Sequence, residues 1–370
     1  MSFDTGNVSF QIFDVNTLVA PGDLVAQLAN HVAPPIESLG ADPITGWVSP
    51  RHLLDREITE DTCISAGYVR ADLMKAERKI PSSLLKAYCK IEEIAEMQAR
   101  GVPYLNRQTR SDIKKQVSEE LLPNMPPTLT AIPMVFDTAQ SRIYAEALSE
   151  KQQDAFCVSF NKATGLSPTA LTPESAAMRL KQVDFRDIPP QCFSPDAAVT
   201  VTANNIGMDF LTWLWFYWET SGGTLMLPSA GSAPLGFMLE GPAIFYLEAE
   251  GAHETVLRKG MPLMSREAKT VLEGGKKLRK INLVIARGDE VFSATVDGMD
   301  FCFRGLKFPK SETPYEQHTA FQERMAGIRL FSDAFYGLYE IFLSQISDGP
   351  TWTNVLAEIK QWITLRKTFV

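Results

Sequence analysis

The run KKLRKINLVIARGDEVFSATVDGMDFCFRGLKFPK, Lys276 to Lys310, decides the reading of the fold. Three β-rich segments are separated by Gly288-Asp289-Glu290 and Asp297-Gly298-Met299-Asp300, the spacing of a meander with tight turns. Side chains alternate across a strand, so Ile281, Leu283 and Ile285 fall on one face with Phe292, Ala294 and Val296, while Lys280, Asn282, Ser293 and Thr295 face the other way. One face is core and the other is wet. The run holds eight Lys or Arg against four acids, in a chain whose formal charge is −8. A local reversal of sign suits a polyanion partner, although positive runs beside strands are more often solvated edges that discourage aggregation.

At 370 residues the chain is too long for one small core and suggests two or three subdomains. With 45% hydrophobic and 22% charged residues its composition is that of an ordinary globular protein. The first residues show no basic leader followed by an apolar run, and the longest apolar run, Phe210 to Tyr217, is far short of a bilayer span. No signal peptide and no membrane segment are therefore expected. Five cysteines, Cys63, Cys89, Cys157, Cys192 and Cys302, lack CxxC or Cys/His ligand spacing, so neither a disulfide framework nor a zinc site is indicated and a reducing cytoplasm fits. An acidic chain does not coat nucleic acid with its whole surface, although a local basic groove remains compatible with the charge.

Outward from the meander, the pattern predicts an α+β fold of antiparallel sheets flanked by helices, with a protruding helical hairpin arm. Two regions are expected, 1–185 with the arm inserted at about 82–122, and 186–370 with a sheet at about 236–308 and C-terminal helices. Strands are expected at Val8 to Phe13 and Thr62 to Tyr68, a helix at Gly22 to His31, and Trp47 as a buried anchor beside a turn. From Arg70 to Glu120 eleven basic residues face eight acidic ones. Pro81-Ser82-Ser83 starts a helix whose apolar stripe is Leu84, Leu85, Tyr88, Ile91, Ile94, Ala95 and Met97; Gly101 and Pro103 end it. Ser111 is the expected cap of a second helix, stopped by Pro123. The surface of this αα-hairpin carries Lys86, Lys90, Arg107, Arg110, Lys114 and Lys115, either a solvated face or a phosphate-contacting arm. A hairpin over Ala131 to Phe136 and Arg142 to Ala147 precedes a helix from about Ser149 to Ala163.

In order and spacing, Gly46-Trp47-Val48, Lys79-Ile80-Pro81, the helical hairpin, Leu121-Leu122-Pro123, Met134-Val135-Phe136-Asp137, Tyr144-Ala145-Glu146-Ala147 and Thr172-Pro173-Glu174 resemble the bacterial recombination-associated protein RdgC family. Gly275-Lys276-Lys277 and the strands closing on Leu306-Lys307-Phe308 look like that family's C-terminal sheet. The resemblance implies a nucleoid-associated, cytoplasmic protein that binds double-stranded DNA without sequence preference, forms a ring-like homodimer around the duplex and opposes RecA-driven recombination. Two stretches depart from the family: Ile244 to Glu250 reads IFYLEAE where relatives are basic, and Asn124-Met125-Pro126-Pro127 stands where they carry basic and aromatic residues.

The remainder is loop-rich at 165–205, then MDFLTWLWFYWE at Met208 to Glu219 forms a helix apolar nearly all round. Trp213, Trp215 and Trp218 offer a base-stacking platform, but a compact aromatic helix is ordinarily the centre of a core. Ser221 to Gly236 lacks P-loop spacing. Strands at Gly236 to Leu239 and Ala243 to Ala249, a helix at Ser265 to Leu272 and two helices at Thr319 to Leu343 and Thr351 to Leu365 complete the chain.

A metal-dependent nuclease assembles two or more carboxylates around Mg²⁺. The candidates are Asp297 with Asp300, Asp289 with Glu290, and Glu248 with Glu250, all of which turns or a wet strand face would hold anyway. His31, His52, His253 and His318 form no HxH or HExxH pair, and no GxSxG appears. No catalytic residue, metal or cofactor is assigned. The expected function is phosphate contact with duplex DNA by Lys86, Lys90, Arg107, Arg110, Lys114, Lys115, Lys276, Lys277, Arg279 and Lys280. The alternatives are a metal-dependent exonuclease and a protein-interaction module without DNA binding.

Overall fold

The computed structural model describes residues 3–226, 234–247, 253–309 and 317–365. In chain order these contain β1 (Val8–Asp14), α1 (Pro21–Ala29), β2 (Ile44–Val48), α2 (Glu60–Cys63), β3 (Ile64–Ser65), β4 (Tyr68–Arg78), α3 (Ser82–Arg100), α4 (Arg107–Leu121), β5 (Pro127–Asp137), β6 (Arg142–Ala145) and α5 (Glu150–Thr164). There follow β7 (Thr169–Ala170), α6 (Pro173–Lys181), α7 (Ile206–Ser221), β8 (Thr224–Leu225), β9 (Leu235–Tyr246), β10 (Glu254–Leu257), α8 (Arg266–Glu273), β11 (Lys277–Arg287), β12 (Glu290–Asp297), β13 (Phe303–Lys307), α9 (Gln317–Ile346) and α10 (Gly349–Thr364). The architecture is α+β, as the residue pattern predicts.

The chain divides into two compact units, one of residues 1–18, 135–154 and 167–370, the other of 19–134 and 155–166. The expected boundary at 185/186 lies inside the first unit. There, antiparallel strands run in the order β10-β9-β11-β12-β13-β1-β6. The meander has the expected faces: Ile281, Leu283, Ile285, Phe292, Ala294 and Val296 are buried, and the polar set opposite is half-exposed. The buried face packs under α7 and α9. Phe210 of α7 meets Tyr339 of α9 at 4.9 Å between ring centroids, and Phe335 meets Phe301 at 4.8 Å and Phe303 at 5.0 Å, all edge to face. Gly207 allows this approach, since a Cβ there would stand 2.0 Å from the Gly298 carbonyl oxygen. Trp213 and Trp215 are core residues of this layer, not a base platform.

Three local expectations are corrected. Thr62 to Tyr68 is not one strand: Thr59 caps the short helix α2, and the chain turns through β3 into β4. Residues 165–205 include a regular helix, α6, started by a reciprocal Thr172–Ser175 capping box that a Pro-rich composition obscures. The two strands expected between 236 and 249 are the single strand β9 up to Tyr246. Beyond it, Glu248 and Glu250 lie outside the described residues.

The second unit has strands in the order β5-β4-β2, with β3 also on β4. Ala33, Leu39, Val48, Met74 and Ala76 form a core against which Ile44, Leu53 and Leu129 pack. Trp47 is the anchor its sequence context predicts, fully buried and edge to face with Phe156 and Phe160 at 6.2 Å each.

Candidate nucleic-acid interface

The ten predicted cations divide into six on the arm in the second unit and four at the start of β11 in the first. Pro81, which cannot donate a backbone hydrogen bond, precedes α3. The helix ends at Gly101, in the left-handed region at φ +65°, where the Gly101 and Val102 amides donate to the Gln98 and Met97 carbonyls. After the link 101–106, α4 begins at Arg107 rather than after Ser111. Its cap is Asn106, whose side chain accepts from the Thr109 amide at 2.8 Å. Asn106 takes this role because its short side chain reaches the first free amides one full turn earlier than Ser111 could.

All six arm cations are exposed. Lys90 faces Glu93 at 3.6 Å and Lys115 faces Glu119 at 4.0 Å. Lys86, Arg107, Arg110 and Lys114 make no ion pair among the described residues. The arm is close to neutral, with seven Lys or Arg against six acids from 82 to 121. Its cations are nonetheless sorted: Arg107, Arg110 and Lys114, at steps of three and four, share one face of α4. Such a face can hold several phosphates at once, and exposed cations do so without losing an internal partner.

The apolar stripe of α3 does not belong to a core. No residue of that helix is buried, and Ile91 is 60% exposed beside exposed Tyr88 and Ile94. The packing side of the hairpin is instead closed by Leu105 and Val117. Helical periodicity marks an apolar face but does not say whether the same chain covers it.

At β11 the four cations have different fates. Lys276 donates to the Thr255 hydroxyl at 2.7 Å. Arg279 lies over the Tyr246 ring at 5.4 Å, with Asp297 at 3.5 Å, and Lys280 pairs with Asp297 at 2.7 Å. Lys277 points inward and pairs with Asp209 of α7. The cause is a register shift: pairing with β9 is irregular between Leu278 and Lys280, so strict alternation fails and Lys277 and Leu278 are both buried. The Leu278 amide is satisfied by the Thr212 hydroxyl at 2.9 Å. Nothing in the local sequence announces that shift.

Asp297, Asp300 and Glu290, weighed for nuclease chemistry, have partners. Asp297 is buried under Arg279 and Lys280. Asp300 accepts from the Cys302 amide at 3.0 Å, and burial next to Asp297 pushes its carboxyl up. Glu290 pairs with Arg287 at 2.7 Å. Among the described residues no group of three or more His, Cys, Asp or Glu is arranged to hold a metal ion, and no helix is long and apolar enough to cross a membrane.

Residues 7–181 match the model of a family described as "Putative exonuclease, RdgC". No curated protein matches the chain. The matched span contains the whole arm and stops short of β11.

Proposed function

We propose, from the match of residues 7–181 to the RdgC family model, that this chain is a member of that family which binds double-stranded DNA without sequence preference, acts as a homodimer in the nucleoid and moderates RecA-driven recombination. The observation that carries the reading is the exposed cationic face of α4, Arg107, Arg110 and Lys114, inside the matched span. Lys86, Lys90 and Lys115 are further exposed cations on the arm. Phosphate contact requires positive charge at the right spacing and no base-reading motif, which accounts for the faintness of the signal in sequence.

Lys276, Arg279 and Lys280 are half-exposed and would have to share their present partners with a phosphate, so they are assigned a lesser part. Lys277 is left out because its ammonium is buried. The bare apolar stripe of α3 supports the homodimer, since Tyr88 and Ile91 supply surface for a second copy.

The test is binding to a short labelled duplex over a salt series, with mass measured in solution. The parent chain should dimerise and show a log–log salt slope of about 0.9 per phosphate contacted. Replacing Arg107, Arg110 and Lys114 by Glu should weaken binding on every sequence and flatten the slope. Equal affinity and slope in parent and variant would refute the arm as the contact. Inhibition of RecA strand exchange, lost in the same variant, tests the recombination role.

A further inference from the structure

Far in sequence from the arm, the first unit contains a pocket of about 490 Å³. It is formed by the end of β1 with residues 15–18, the turn between β5 and β6, β7 and α6. Its walls are tied together. Asp14 is in register with Arg142 of β6 and with Thr169 of β7, and the Val15 amide donates to the Ser141 carbonyl at 2.9 Å. Ser141 itself sits at φ +51°, in the left-handed region that favours glycine, and keeps a hydroxyl at the pocket wall. Beneath the floor, Asp14 Oδ1 and Arg142 Nε lie 3.7 Å apart, both buried and both without a hydrogen bond among the described residues.

The lining restricts the ligand. Its ionisable residues are Asp14 and Arg179, paired with each other, so the site carries no net charge and has no free cation to draw a phosphate. Gln140, Ser141 and Thr169 present groups that both donate and accept. Two other wall residues are apolar and bare: Leu18 is 77% exposed and Met178 47% exposed, on different elements. A thioether and an aliphatic side chain next to mixed donors and acceptors suit a flat aromatic ring with a polar edge. The volume suits one such ring with a sugar rather than a polymer.

We propose that this pocket binds a neutral heteroaromatic ligand of the nucleobase or nucleoside class, delivered free or as an unpaired base of a strand. The site is independent of the arm and does not rest on duplex binding. The full chain is titrated with each of the four deoxynucleosides and, separately, with inorganic phosphate, following Tm and equilibrium dialysis. At least one nucleoside should bind and raise Tm, and phosphate should do neither. Leu18→Glu and Met178→Glu, at bare positions, should keep the parent Tm and bind that nucleoside about tenfold or more weakly. The proposal fails if no nucleoside binds, if phosphate alone binds, or if both rim variants bind as the parent does. An oligonucleotide with an unpaired 3′ base competing for the bound nucleoside, where a blunt duplex does not, identifies the strand as the source; competition by neither identifies the free nucleoside. Because the readout contains no duplex in its first step, loss of DNA binding in the arm variant with nucleoside binding intact separates the two readings.

Discussion

Lys277 and Asp209 form an ion pair in the interior of the first unit, their side chains 4% and 0% exposed. The pair joins the first turn of α7 to the start of β11, and the Lys277 ammonium also stands 5.8 Å from the centre of the Phe193 ring. Burial raises the Asp209 carboxyl to about 6, with Lys277 opposing the rise. A buried charge tolerates its site only while the opposite charge stays beside it.

Lys277→Met should therefore be destabilising in a way that depends on pH. Asp209 holds its proton more tightly in the folded than in the unfolded chain, so its contribution to stability is present below its ordinary 3.8 and is lost as pH rises through about 6. Without Lys277 the carboxyl moves higher still and the loss extends upward. Urea unfolding should show a deficit of about 3 kcal/mol against the parent near neutrality, shrinking at acid pH. Adding Asp209→Leu to the variant should recover most of the deficit. A deficit independent of pH would mean that the two charges are not coupled.

The same variant separates structure from binding. At conditions where it is folded, Lys277→Met should leave the duplex affinity and salt slope as in the parent, whereas Arg110→Glu should weaken binding with the Tm unchanged. A flattened slope in Lys277→Met would put that ammonium on a phosphate.

Ile91→Glu should keep the parent stability within about 0.5 kcal/mol, because the position is exposed. If the α3 stripe is where a second copy docks, mass in solution should fall towards the monomer. An unchanged dimer mass would locate the interface elsewhere.

Gly46→Ala should destabilise the second unit. A Cβ at Gly46 would stand 2.4 Å from the Ala33 Cα, where the Ala33 amide donates to the Trp47 carbonyl and the Trp47 amide to the His31 carbonyl. Backbone on both sides leaves no flexible atom to yield, and about 1–3 kcal/mol of stability should be lost. Thr45→Ala, next to it on an exposed position, is the control; equal thermal shifts in the two variants would contradict the close approach.

The sequence by itself determined the elements whose period is long and regular. The 276–310 meander, the arm and the long α9 are legible because a single face of each is apolar at a spacing that only one secondary structure matches, and α7 because its run is apolar nearly all round. The cations of α4 are legible only in part, since the residue pattern starts that helix after Ser111 and leaves Arg107 and Arg110 ahead of it. Tertiary structure alone decided what each apolar or charged face meets. Tyr88 and Ile91 carry the pattern of a core stripe, yet among the described residues nothing buries them; Lys277 carries the pattern of a surface cation, yet a register shift turns it onto Asp209. Periodicity is a property of neighbours in the chain, whereas burial, register and charge pairing depend on segments dozens of residues away, and no local rule contains them.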